Sequence, residues 1–218
     1  MAKKKSITKD HIITFYMDYV LEHGENPKSV YAFSKSNNFE EAKFYEFFSD
    51  FQAIEKGIFE AFFSNSITVL EKSEDYENFD PRNKLLSFYF TFFENLTANR
   101  SYVVQALEKH KNDLKGLKML AGLKRHFTAY IANLDIEMLD LKNETIEKIQ
   151  DKTLKETAWL QLLITMKFWL DDSSRSFEKT DIFIEKSVNT TFDVLDIAPL
   201  KSVIDLGKFI FKERFQMK

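Results

Sequence analysis

Across 218 residues this chain carries only 5 Gly and 3 Pro, and that scarcity of turn-formers constrains its fold more than any other feature. An all-β chain of this length needs a turn signal every ten residues or so, and Gly, Pro and Asn supply most of them. Helices need far fewer breaks, so the expectation is an all-α protein. The apolar spacing agrees. Thr8 is placed to cap a helix on which Ile12, Ile13, Tyr16, Tyr19 and Val20 recur at three- and four-residue steps until Gly24 supplies a stop. Asn26 and Pro27 mark a turn, and Pro27 is expected to pre-set the first turn of a short second helix with Val30 and Phe33 on one side. Asn37 and Asn38 close that helix, since Asn tolerates the left-handed backbone that a tight interhelical turn requires. A third short helix is expected from about Glu40 to Phe47, then a longer one from Phe51 to about Leu70 with Ile54, Ile58, Phe62 and Val69 toward a core.

The acidic, aperiodic stretch Ser73 to Asp80 reads as a linker. Beyond it the periodicity predicts helices over roughly 81–98, 102–111, 114–135, 152–170, 177–195 and 200–215, with 137–151 open between helix and loop. Gly116 and Gly122 fall inside a helical pattern, where they permit close packing or a kink. The 23 Phe supply more aromatic area than helix packing demands, enough to fill a core or to line an apolar cavity.

Several chemistries are excluded at this level. With no Cys there are no disulfides, thiolate metal sites or cysteine nucleophiles. His11, His23, His110 and His126 show no HExxH pairing, so no metal or cofactor is expected. Asp171 and Asp172 point in different directions from a helix and are read as its end, not as a catalytic pair. No phosphate loop, dinucleotide fingerprint or nucleophile elbow occurs, which leaves no case for an enzyme. The basic start Met1–Lys5 leads into Asp10 and His11, unlike a secretory signal, and no apolar run reaches membrane-spanning length; a cytoplasmic protein is the expectation.

From Gly24 the chain reads GENPKSVYAFSKSNNFEEAKFYEFFSDFQAI. Gly24, Ser29 with Val30, Phe33 with Ser34, Asn38 at the turn, and Tyr45 with Phe48 resemble, in register, the helix-turn-helix of the TetR family of transcriptional regulators. Phe168 to Asp172 followed by Glu178 to Val188 is similar to the family's last two helices. The resemblance implies a DNA-binding head over 1–52 and a ligand-binding, dimerising body over 53–218. It implies operator DNA as partner, with Lys28, Ser29, Tyr31, Phe39, Glu40, Glu41, Lys43, Phe44 and Tyr45 facing it. It further implies a homodimer through the helices around 152–170 and 177–195, and an apolar small molecule in the body. By position in that body, Phe88, Phe92, Phe127, Tyr130, Trp159 and Met166 are the ligand-binding candidates.

Charge weighs on the DNA reading. The chain as a whole is at −3, so affinity for phosphates has to come from local patches. Within the first 60 residues eight Lys face ten acids, and around the recognition helix Glu40, Glu41 and Glu46 outweigh Lys43. Farther on, Leu200, Val203, Ile204, Gly207, Ile210 and Phe211 form a stripe, with Lys201, Lys208 and Lys212 on another face. Such a segment, 200–215, packs on its own protein or lies on an anionic membrane. The alternative reading is therefore a TetR-fold lipid or isoprenoid carrier that has exchanged DNA for a membrane or protein partner.

Overall fold

The computed structural model describes residues 7–108, 118–136 and 144–196. Among these residues the secondary structure is helical, with no strand. The helices are α1 (Lys9–His23), α2 (Val30–Ser36), α3 (Glu41–Tyr45), α4 (Phe51–Leu70), α5 (Pro81–Ala98), α6 (Arg100–Glu108), α7 (Ala121–Ala132), α8 (Glu144–Asp171) and α9 (Glu178–Asp196). Two 3-10 turns, Tyr76–Asn78 and Arg175–Phe177, precede α5 and α9. The expected helix over 200–215, together with His110, Gly116 and the Lys3–Lys5 run, lies outside the described residues.

Packing groups the chain into two compact units, one of Met1–Leu70 with Thr91–Phe127 and one of Glu71–Phe90 with Thr128–Lys218. In the first, α1 begins at a reciprocal cap. The Thr8 hydroxyl accepts the His11 backbone N–H, and the His11 ring nitrogen accepts the N–H of Thr8, so two of the helix's orphan donors are satisfied at once. Gly24 ends the helix at φ +74°, a left-handed cap that only glycine adopts without strain. Ile12, Ile13, Tyr16 and Val20 are buried along one face. Helix α6 lies on α1, and Gln105 Nε2 donates to the Val20 carbonyl at 3.1 Å.

Helix α4 starts where the Asp50 carboxylate accepts the Ala53 N–H at 2.7 Å. Its inward face runs Ile54, Ile58, Phe62, Ser66 and Leu70, in steps of four. Val69, expected inward, is 57% exposed; it sits about 100° around the helix from Leu70, which takes the buried position. Pro27 also differs from expectation. It is buried in the loop, and α2 starts at Val30 behind Ser29, whose hydroxyl accepts the Ala32 N–H at 3.1 Å.

In the second unit the acidic stretch before α5 does more than connect. Tyr76, in its 3-10 turn, is buried, and its hydroxyl meets that of Tyr130 at 2.8 Å. Helices α8 and α9 pack through Trp159, Leu162, Met166 and Trp169 on the one and Ile184 and Val188 on the other, all buried. The turn between them places Ser176 and Phe177 at φ +53° and +58°, a region in which residues other than Gly, Asn and Asp are uncommon. Asp172 holds this turn. Its carboxylate accepts the backbone N–H and hydroxyl of Ser174 at 2.8 and 2.7 Å and those of Thr180 at 3.0 and 2.7 Å. Burial acts to raise the Asp172 pKa, yet these four donors outweigh it and hold the carboxyl down at about 2. Sequence reading gave Asp171 and Asp172 one common role as a helix end; the structure separates them, since Asp171 pairs with Lys167 at 2.8 Å on the surface.

Replacing Asp172 by Ala leaves the Thr180 donors without their acceptor at a buried position. We expect a loss of about 2–3 kcal/mol by urea denaturation. The pH signature follows from a folded pKa below the unfolded one. The stabilisation is complete above the ordinary carboxylate value of 3.8 and fades as pH falls toward about 2. Asp172→Asn is expected to show no such fading over that window.

Candidate nucleic-acid interface and helix-pair face

Helices α2 and α3 have seven and five residues, too few to hold a helix unaided. Aromatic packing holds them. Phe33 from α2 and Phe44 from α3 are buried, with ring centroids 6.1 Å apart, and Phe51 from α4 lies within 5.8 Å of both. Tyr16 from α1 stacks on Phe51 at 5.7 Å. Between α2 and α3 the chain turns at Asn38 with φ +57°, as expected of an Asn there.

This nucleus fixes which side chains the pair presents. Tyr31 is 60% exposed on α2 and Tyr45 53% exposed on α3. Lys28, Ser29 and Glu40 are exposed and Glu41 half-buried, with the Tyr45 hydroxyl 3.4 Å from the Glu41 carboxylate. Ser29 spends its hydroxyl on the cap of α2. Phe39 is half-buried, stacked on Phe15 and edge-on to Phe33, so it supports the turn. Phe44 is a correction. The resemblance implies an outward place for it on α3, but with 0% exposure it belongs to the core, because inward and outward positions on one short turn are separated by a single residue.

Lys43 is half-buried and committed twice. Its ammonium lies 2.5 Å from the Glu46 carboxylate and 5.5 Å from the centre of the Phe47 ring. Lys35 lies over Tyr31 and Lys9 over Phe48, each at 5.7 Å. Aromatic faces thus support three lysines of this region. Phe47, 37% exposed, was not singled out from the sequence, although its place four residues after Lys43 was a signal for the contact.

The second feature lies on α8 and α9. Leu160, Ile164 and Phe168 on α8 and Ile182 on α9 are exposed by 36–55%, and Phe168 stacks on Phe183 at 4.5 Å. They border an open groove of about 640 Å³ with Lys179 and Lys186 at its edge. Gln161 bridges the helices, donating to the Ser187 hydroxyl at 3.3 Å and accepting from Thr191 at 3.1 Å. Of these apolar residues the sequence reading names Phe168, in the likeness to the family's last two helices, but not Leu160, Ile164 or Ile182. The signal was there, since positions 160, 164 and 168 repeat at four on the face opposite Trp159, Leu162, Met166 and Trp169, making α8 apolar on two sides.

The ligand candidates are inside. Phe88, Phe92, Phe127, Trp159 and Met166 are buried and Tyr130 half-buried. They do not share one compact unit, because Phe92 and Phe127 belong to the first and the other four to the second. Phe88 packs on Tyr130 with centroids 5.0 Å apart. Tyr130 donates its hydroxyl to the Lys84 carbonyl at 3.0 Å, so Tyr76 is the donor in the Tyr76–Tyr130 pair. Burial pushes the Tyr130 phenol far up and keeps it neutral.

The histidines have structural places: His11 in the cap of α1, His23 stacked on Tyr19, His126 stacked on Phe63. Among the described residues no group of three or more metal-ligating side chains forms, and no helix is long and apolar enough to cross a membrane.

Described secondary structure that is all helical, with a compact helix-turn-helix and an α8–α9 pair of exposed apolar face, defines a class, that of helix-turn-helix regulators with a helical body. Residues 84–210 match the tetracyclin repressor-like C-terminal domain, and the chain belongs to the TetR family. Members of this family are regulators, not enzymes. No curated protein matches the chain.

Phe44→Ala is expected to cost about 3–5 kcal/mol, as for other fully buried Phe. Tyr45→Ala, on the exposed side of the same helix, is expected to stay within about 0.5 kcal/mol of the parent. Equal losses for the two in thermal unfolding would contradict the placement of α3.

Proposed function

We propose that this TetR-family regulator works as a homodimer joined through α8 and α9, with 1–52 as its DNA-binding head and 53–218 as its sensing and dimerising body. In this reading α3 enters the major groove of an operator, Tyr45, Glu40 and Glu41 face the bases, and Lys28, Tyr31 and Lys43 approach phosphates. Within the second unit Phe88, Tyr130, Trp159 and Met166 contact an apolar small molecule that modulates the head. The observation that carries the reading is the intact helix-turn-helix. Its Ser29 cap, left-handed Asn38 and buried Phe44 orient α3 outward although the charge around it is unfavourable.

The dimer rests on apolar side chains at 160, 164, 168 and 182, which form a face that soluble monomers seldom leave open. Ile164→Glu with Ile182→Glu places carboxylates in the middle of that face. Sedimentation is expected to show a dimer for the parent and a monomer for the variant, with the helical signal retained; a variant still dimeric rules out this face.

A second reading is favoured by one observation, the commitment of Lys43 to Glu46 and Phe47 on a helix that carries Glu41 and is capped by Glu40 and Glu46. In that reading the protein is a lipid or isoprenoid carrier whose head no longer holds DNA and whose partner is a membrane or a protein. Titration against its own upstream DNA and random duplex, at low and moderate salt, separates the two. Selective binding that weakens with salt and is lost in Tyr45→Ala supports the regulator. Absence of binding even at low salt excludes it, and liposome flotation then tests the carrier.

A further inference from the structure

We infer that Glu46 is an affinity-setting residue of the head, which withholds Lys43 from DNA phosphate; this rests on the DNA-binding reading above. Helix α3 has one cation, Lys43. Its ammonium meets the Glu46 carboxylate at 2.5 Å and rests beside the Phe47 ring at 5.5 Å. Phe51, which opens α4 just beyond this segment, is spent on the core with Tyr16, Phe33 and Phe44. The cation that approaches DNA from α3 is therefore one already paired with the residue that caps its own helix.

Counterion release is the main source of phosphate affinity, and an ammonium that has a carboxylate beside it releases little when it meets a phosphate. The pair is exposed, 33% for Lys43 and 55% for Glu46, so it is weak enough to open. The same carboxylate repels the phosphate that would replace it. Glu46 thus acts on DNA in both ways, through Lys43 and directly, and neither effect depends on base sequence. It keeps sequence-independent attachment low, which leaves base contacts to decide where the head stays.

The test compares parent, Glu46→Gln, Lys43→Ala and the double variant on a random duplex and on upstream DNA, each across a salt series. Glu46 is exposed and outside the aromatic nucleus, so the Gln variant keeps the fold, as circular dichroism checks. Glu46→Gln is expected to bind random duplex about tenfold more tightly at low salt, with a log-log salt slope steeper by about one, the increment for one phosphate contact. Most of the gain, and the added slope, are expected to be lost when Lys43→Ala is added, with direct repulsion accounting for the smaller part that stays. If the parent binds and Glu46→Gln changes neither affinity nor slope, or the full gain survives the loss of Lys43, the inference is overturned while the DNA reading stands. If neither parent nor Glu46→Gln binds any duplex at low salt, both fall. Binding by Glu46→Gln alone supports the inference most directly.

Discussion

The head depends on aromatic rings that cross between helices too short to exist alone. Five residues of α3 make about one and a half turns, and in isolation such a segment is coil. It becomes a helix because Phe44 inserts between Phe33 and Phe51 while Tyr16 closes the stack. Each fully buried ring is worth on the order of 2–3 kcal/mol relative to exposure, with edge-to-face geometry adding to it. Every outward direction on α2 and α3 is a consequence of this nucleus. Tyr45 faces solvent because Phe44 cannot.

The helix pair α8 and α9 is held differently, by polar atoms at its turn. Ser176 and Phe177 adopt left-handed backbone that nothing in their side chains favours. The chain accepts that conformation because Asp172 gathers four donors from Ser174 and Thr180, and because Phe177 packs against Trp169 at 6.2 Å. With the turn fixed, α9 lies along α8, Trp169 and Val188 go inside, and Ile164, Phe168 and Ile182 are left on the outer face. A carboxylate at a loop is thus what sets the geometry of an apolar surface one to two turns away.

Much of the scaffold was legible in the sequence. Thr8, Gly24 and Asn38 do as caps and turns what their chemistry requires, and α4 and α5 have the expected spans. What escaped falls into two kinds. Val69 and Phe44 are errors of angular phase, where a one-residue step along a helix turns a side chain by about 100° and pattern reading does not resolve it. Tyr76, Asp172 and the Lys43–Glu46 pair are contacts that spacing only partly announces. The i, i+3 pair was visible as a possibility, whereas Tyr76 meeting Tyr130 joins positions 54 residues apart. The outer face of α8 was hidden for another reason. A helix apolar on two sides reads as simply hydrophobic, and which side meets the core is decided by α9.

The fold around α3 and affinity for a polyanion respond to surface charge in opposite ways. An aromatic nucleus tolerates any charge on the surface it orients, since its energy comes from buried area and is indifferent to what α3 carries outside. Glu40, Glu41 and Glu46 can therefore accumulate around α3 without loss of fold. Affinity for a polyanion has no such tolerance, because it counts uncommitted cations one by one. Fold and affinity are thus separable here. On the DNA-binding reading proposed above, the head keeps every contact that makes it a helix-turn-helix while its hold on phosphate is adjusted through one side chain on its outer face.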